Sequence, residues 1–340
     1  MGKKTLLTLL IISISLLGSC NGAKDSADAE NEFAPEPGSL EIGFTYPPAD
    51  TATNYSPSDM SSWETATWAL GANYTNGAST TSNYITFGVY APNAAKVLLE
   101  IYSSATGSDA RYDYWMAKGS DGIWRAKIYC TYNGRMYGFR AWGPNWPYSS
   151  SWARGNSSAG FISDVDSAGN RFNPNKVLYD PYTRELSHDT ENPTMTAAGH
   201  DGGMYGTGPG LYKGVARRIC DTGKWAPKGC ALKTSTQSFG TKPKIAQKDA
   251  IIYEAHVRGL TKDPSTASLT TILSSMSEFA SVADVPAAYV GTYKGAGYMA
   301  KYLKALGYNT IELLPVQETK NDVNSDTSPA GNFWGYMTYG

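Results

Sequence analysis

Alternating apolar and polar positions dominate the first half of the folded region. In Tyr84-Ile-Thr-Phe-Gly-Val-Tyr90 the set Ile85, Phe87 and Val89 falls on one side of an extended strand. Lys96-Val-Leu-Leu-Glu-Ile-Tyr102 repeats the pattern with Val97, Leu99 and Ile101. Asp121-Gly122 marks a turn before Ile123-Trp-Arg-Ala-Lys-Ile-Tyr129, where Trp124, Ala126 and Ile128 share a face. Met136-Tyr-Gly-Phe-Arg-Ala-Trp142 reads as a further strand. Short alternating strands separated by turns predict a β-sandwich of immunoglobulin-like type over residues 63–185. Beyond Trp142 the alternation fades into turn-rich, aromatic segments, and residues 186–248 read as a connecting region.

A different pattern begins at Asp249. Asp249-Ala-Ile-Ile-Tyr-Glu-Ala-His-Val-Arg258 carries a short apolar run ending in charge, as a buried parallel strand does when its carboxyl end opens on a site. Met299, Tyr302, Leu303 and Leu306 fall at i, i+3, i+4 and i+7, one face of a helix, and Gly307 is a helix-stop residue. Asn309-Thr-Ile-Glu-Leu-Leu-Pro315 is a second apolar strand ended by its proline. Strand, helix, strand is a βαβ unit with parallel strands. Such a sheet needs more strands and helices to cover its faces. Few residues follow Glu318, so residues 249–340 are expected to expose apolar edges.

The N-terminus changes the picture of compartment. Lys3-Lys4 precede an apolar run, Leu6 to Leu17, too short to span a bilayer. The run ends Leu17-Gly18-Ser19-Cys20, which resembles a bacterial lipobox and predicts cleavage of residues 1–19 and lipidation of Cys20. The mature chain is then an exported lipoprotein, periplasmic or at the cell surface, touching the membrane through its lipid anchor only. Residues 20–62, rich in Gly, Ala, Ser, Pro, Asp and Glu, read as a disordered tether. In an oxidising compartment, Cys220 and Cys230 around a turn-rich loop are expected to form a disulfide, leaving Cys130 unpaired. A net charge of -1 gives no footing for a nucleic-acid partner. The chain holds 24 Tyr and 9 Trp, and flat rings with a polar handle suit sugars.

Several ordered runs carry a family resemblance. Arg140-Ala-Trp-Gly-Pro-Asn-Trp-Pro-Tyr148, Gly160-Phe-Ile-Ser-Asp-Val-Asp166 and Arg171-Phe-Asn-Pro-Asn-Lys176 are followed by Ser238-Phe-Gly-Thr-Lys-Pro-Lys244 and Ile252-Tyr-Glu-Ala-His-Val-Arg-Gly-Leu-Thr261. Leu314-Pro-Val-Gln-Glu-Thr-Lys-Asn-Asp322 and Asn332-Phe-Trp-Gly-Tyr-Met-Thr338 complete the set. From about residue 65 onward the sequence resembles bacterial isoamylases, glycogen-debranching glycoside hydrolases of the α-amylase superfamily. The resemblance implies a glycogen-binding-module-like sandwich, then the truncated start of a (β/α)8 TIM barrel. It implies hydrolysis of α-1,6 branch linkages in glycogen and amylopectin. It also implies that the carboxylates of a retaining mechanism lie at the ends of later strands with no counterpart here, so no catalytic residue is assigned.

The same resemblance points to substrate and metal contacts. Tyr336, with Trp334 beside it, matches a segment whose tyrosine stacks on the sugar next to the bond being cut. Asp189, Glu318, Thr319 and Asn321 match oxygen donors that hold Ca²⁺, with a further ligand absent from this sequence. Glu254, His256 and Arg258 are expected to pair their charges around the barrel, and Glu312 is set aside as an acid–base group. Asp164-Val-Asp-Ser-Ala-Gly-Asn170 lacks the ligands of a calcium loop and reads as an Asx-type turn. A second function class stays open: a non-catalytic α-glucan-binding lipoprotein, with Trp124, Trp142 and other exposed aromatics as its platform.

Overall fold

The structure is a computed structural model that describes residues 60–78, 83–129, 131–234, 240–317, 333–336 and 338. The signal segment, Cys20, the tether up to residue 59 and Cys130 lie outside the described residues. Among those described, no helix is long and apolar enough to cross a membrane. The chain divides into two compact units, Met1–Lys233 and Thr234–Gly340.

In the first unit a short helix, α1 (Met60–Glu64), precedes the strands. These are β1 (Gly71–Thr75), β2 (Tyr84–Tyr90), β3 (Lys96–Tyr102), β4 (Tyr112–Trp115), β5 (Ala117–Lys118), β6 (Ile123–Tyr129) and β7 (Arg135–Trp142). Helix α2 (Pro193–Ala197), the hairpin of β8 (Leu211–Tyr212) and β9 (Val215–Ala216), and β10 (Gly229–Ala231) follow. Two four-stranded antiparallel sheets result, in the orders β1-β2-β6-β5 and β10-β7-β3-β4. The alternating sets meet as predicted. Ile85 and Phe87, Val97, Leu99 and Ile101, and Trp124, Ala126 and Ile128 share one apolar cluster with Tyr137 and Phe139 between the sheets.

The sandwich unit reaches beyond residue 185. Strand β10, from the region read as a connection, pairs with β7 at Cys230↔Met136 and supplies the fourth strand of its sheet. Lys176 fastens the same region, its Nζ donating to the carbonyl oxygens of Met204 at 2.6 Å and of Arg217 and Cys220 at 2.8 Å. Asp166 makes the predicted Asx turn, its Oδ1 accepting from the amides of Ala168 and Asn170, both at 2.9 Å.

Two expectations fail in this unit. Cys220 and Cys230 are not joined. Cys230, on β10, turns into a cluster with Tyr102 and Met136, whereas Cys220 sits with Met195, Met204 and Tyr212. Trp124 is only 6% exposed and Trp142 is fully buried, so neither offers a platform to a ligand. Trp142 packs edge-on against Trp152 at a centroid distance of 5.1 Å, and Trp124 belongs to the inter-sheet core.

The second sheet also buries its outer face, and charged residues hold it. All eight residues of β7 are buried. Arg140 donates through Nε to Glu100 Oε1 at 2.7 Å, through Nη1 to Pro174 O at 2.8 Å and through Nη2 to Asp221 Oδ1 at 2.9 Å. Arg154 reaches Glu100 Oε1 at 2.6 Å and also contacts Asp113 Oδ1. Tyr102 OH donates to Glu100 Oε2 at 2.5 Å. Glu100, Asp113 and Arg140 come from the sheet; Arg154 and Asp221 come from the covering segment. Burial alone would raise the Glu100 carboxyl, but Arg140 and Arg154 outweigh it and hold the group at about 2. Asp113 has the weaker partnership, and burial pushes its carboxyl well up despite Arg154.

Removing one partner from a buried ion cluster strands the others, at about 3–5 kcal/mol. Arg140→Leu should therefore lower the urea-unfolding free energy of this unit by that order, and a loss under 1 kcal/mol, as for an exposed pair, would refute the assignment. The pH dependence has a definite sign. Unfolded Asp113 ionises near pH 3.9 while the folded group stays protonated to higher pH, so stability falls as pH rises through that interval. Asp113→Asn should flatten this decline in unfolding curves measured from acid to mildly alkaline pH; an unchanged slope contradicts it. Glu100 acts oppositely, and its contribution is lost as pH falls from the unfolded carboxylate range towards 2. Cys220, as a buried thiol, should resist iodoacetamide in the native protein and react fully in denaturant without reductant. Reaction only after reduction would show that it is disulfide-bonded.

Candidate functional site

The second unit contains the predicted parallel pair. Strands β11 (Ile252–Ala255) and β12 (Thr310–Leu313) align at Ile252↔Thr310 and Glu254↔Glu312. Asn309 sets this register, its Oδ1 accepting from Ile251 N at 2.8 Å and its Nδ2 donating to Asp249 O at 2.9 Å. Between the strands lie α3 (Leu269–Ile272), α4 (Tyr293–Tyr298) and α5 (Ala300–Ala305). The predicted helix is thus split at Met299, and Gly307, at φ +99, ends its second half. Met299 and Leu303 are buried, while Leu306 is exposed because it caps α5 at the last turn.

Strand β11 is not buried as its apolar run predicts. Ile251 and Ile252 are both more than half exposed, and Ile311 and Leu313 are about 40% exposed. The unit's apolar cluster forms instead from Leu269, Phe279, Val282, Val285 and Met299. The sheet has only two strands among the described residues, so the exposure of its apolar positions follows. The expected pairing of Glu254, His256 and Arg258 is not seen among the described residues. Among the described residues Glu254, Glu312 and Arg258 make no ion pair, and Glu254 and Glu312 stand side by side in the ladder, both exposed.

At the carboxyl ends of the two strands the structure gathers aromatic residues. His256 follows directly on β11, and its Nδ1 accepts the Gly259 amide at 3.1 Å. Its ring lies 4.3 Å from that of Phe333 and 5.7 Å from that of Trp334, between centroids. Phe333 and Trp334 meet edge to face at 5.2 Å, a favoured aromatic geometry. The segment comes close to the end of β12 through Gly335. A side chain there would place its Cβ 2.8 Å from Pro315 O, and φ is +71, so only glycine fits without strain. Trp334 and Tyr336 are each 53% exposed. Each exposed ring offers a flat apolar face of the kind that the C–H face of a sugar can stack on.

The other site residues fare unevenly. Asp189 lies in the first unit, half-buried, next to His188, whose ring nitrogens contact Asp189 O at 2.6 Å and Ala105 O at 3.1 Å. Glu318, Thr319 and Asn321 lie outside the described residues. Among the described residues no group of three or more His, Cys, Asp or Glu could hold a metal ion. His256 is the residue whose part in this site the charge pattern concealed. It was legible only as a polar position in the run that begins at Asp249, and its partners lie far along the chain.

No family model matches the chain. It is 41% identical over 280 residues to the isoamylase of Pseudomonas amyloderamosa, covering 79% of this chain and 32% of that protein. It is 26% identical over 271 residues to the glycogen debranching enzyme of Salmonella typhi, covering 79% of this chain and 33% of the other. The chain therefore spans about a third of the length of the curated relatives it matches. Among solved structures, the catalytic module of the multi-modular glycogen-degrading pneumococcal virulence factor SpuA aligns with 76% of this chain and 28% of its own. That alignment has a TM-score of 0.40 at 19% identity. The sequence matches are to isoamylases and, more distantly, to glycogen debranching enzymes. Over the part it covers, the chain is a homologue of the isoamylases.

Proposed function

We propose that this chain is part of an isoamylase-type hydrolase that cleaves α-1,6 branch linkages in glycogen and amylopectin. The observation that carries this reading is 41% identity sustained over 280 residues of an isoamylase. On this reading the two antiparallel sheets form an immunoglobulin-like sandwich, and β11 and β12 are the first two strands of a (β/α)8 barrel. Barrel enzymes of this kind work at the carboxyl ends of their strands. The aromatic group at those ends in this chain is the supporting geometry. Trp334 and Tyr336 are the sugar-contacting rings.

Catalytic carboxylates of the family have no counterpart among the residues of this sequence. The 340-residue polypeptide by itself is expected to bind α-glucan without cleaving it. In a glycogen digest followed by chain-length analysis, released linear glucans would contradict this. Tyr336→Ala should weaken maltotetraose binding about ten-fold, at the upper end of what one stacked ring contributes. Equal calorimetric titrations of variant and parent would remove Tyr336 from the site.

Two further parts of the reading have their own tests. Ca²⁺ is proposed, by resemblance, as the ligand of Asp189, Glu318, Thr319 and Asn321, a donor set that is incomplete in this chain but suits a hard cation. A calcium titration of the Asp189→Asn variant that matched the parent protein would exclude Asp189. Export as a lipoprotein anchored at Cys20 predicts that Cys20→Ser moves the protein from the membrane fraction to the soluble one; unchanged membrane retention would argue against the anchor.

A further inference from the structure

We propose that His256 is a positioning residue for the strand-end aromatic group, holding Phe333 and Trp334 so that Tyr336 is presented in a set place. This rests on the reading that Trp334 and Tyr336 face a glucan. His256 stands immediately after β11, so the strand fixes its backbone. The Gly259 amide can only donate. Its 3.1 Å contact with Nδ1 therefore makes Nδ1 an acceptor and places the ring hydrogen of the neutral imidazole on Nε2. The turn that supplies this amide is closed by a second bond, from Leu260 N to His256 O at 2.9 Å. Backbone and ring plane are thus both fixed from within β11 and its following turn. Segment 333–336 has no helix or strand of its own around Phe333 and Trp334. It is held on one side by the close approach of Gly335 to Pro315 and on the other by the His256 ring against Phe333 and Trp334. Tyr336 follows directly on Gly335 in the same segment.

The ring and the acceptor nitrogen are separable by substitution. His256→Phe keeps a flat ring and loses the acceptor. His256→Asn keeps an acceptor and loses the ring. His256→Ala loses both. The chain has 3 histidines, so the ring resonances of His256 are assignable by its own variants. In the full-length protein those resonances should carry a ring-current shift from Phe333 that disappears in Phe333→Ala, with the nitrogen signature of an Nε2–H tautomer. In maltotetraose titrations His256→Ala should weaken binding about three- to ten-fold, the range that loss of one aromatic contact converts to. His256→Phe should recover most of that loss and His256→Asn little of it. Resonances unmoved by Phe333→Ala, or full recovery by His256→Asn alone, would overturn the proposal. If the parent protein binds no maltotetraose, the glucan reading fails, and the resonance measurement still decides whether His256 holds the segment.

Discussion

The first unit depends on a guanidinium that has been taken out of water. Arg140 is fully buried, and its donors go to Glu100, to the carbonyl of Pro174 and to Asp221. Those three partners come from a strand and from two separate points in the segment that covers the sheet. A planar group with donors in a fixed fork suits such a junction better than a flexible ammonium would. Because a desolvated charge without partners costs far more than an apolar replacement, the cluster specifies one docking of the covering segment. Around it pack Trp115, Trp142, Trp146 and Trp152, so four of the chain's 9 tryptophans are spent on covering a sheet.

The second unit runs on a different constraint. Two parallel strands bring their carboxyl ends to one edge, and the side chains that follow them meet there. Asn309 fixes the register by binding the main chain at both Asp249 and Ile251. Gly335 permits an approach to Pro315 that any side chain would obstruct. The outcome is a set of partly exposed rings at the strand ends, while the apolar faces of the strands themselves remain accessible. Kinship with the isoamylases gives this edge a meaning that its geometry alone does not carry.

Much of the first unit was legible in the sequence where the period-two pattern was clean. Strands β2, β3 and β6 run over the residues their alternation predicts. Strands β1, β4 and β10 are short, and partner strands rather than their own pattern select them, so they passed unread. The outer face of the second sheet was obscured by its charges. Glu100 and Arg140 look like solvent positions until the covering segment is in place, and Leu98 and Tyr102 on the same face were the available hint. The Cys220 and Cys230 spacing suggested a bond that the folding of β10 into the sheet prevents. In the second unit the parallel pairing followed from helix and strand periods, but burial did not, because burial depends on neighbours that a strand's own composition cannot report. Trp334 and Tyr336 were found through resemblance. The role of His256 depends on contacts between residues distant in the chain and had no local signal.

On the proposed function, sugar is met at the carboxyl-end aromatic edge of β11 and β12 and not on the sandwich. A crystal structure of this chain with a branched malto-oligosaccharide is the most direct measurement. It should show a glucose ring lying flat on Tyr336, with Trp334 beside it and the Phe333 and His256 rings behind. Sugar bound on the sandwich sheets, with the 333–336 segment empty, would contradict it.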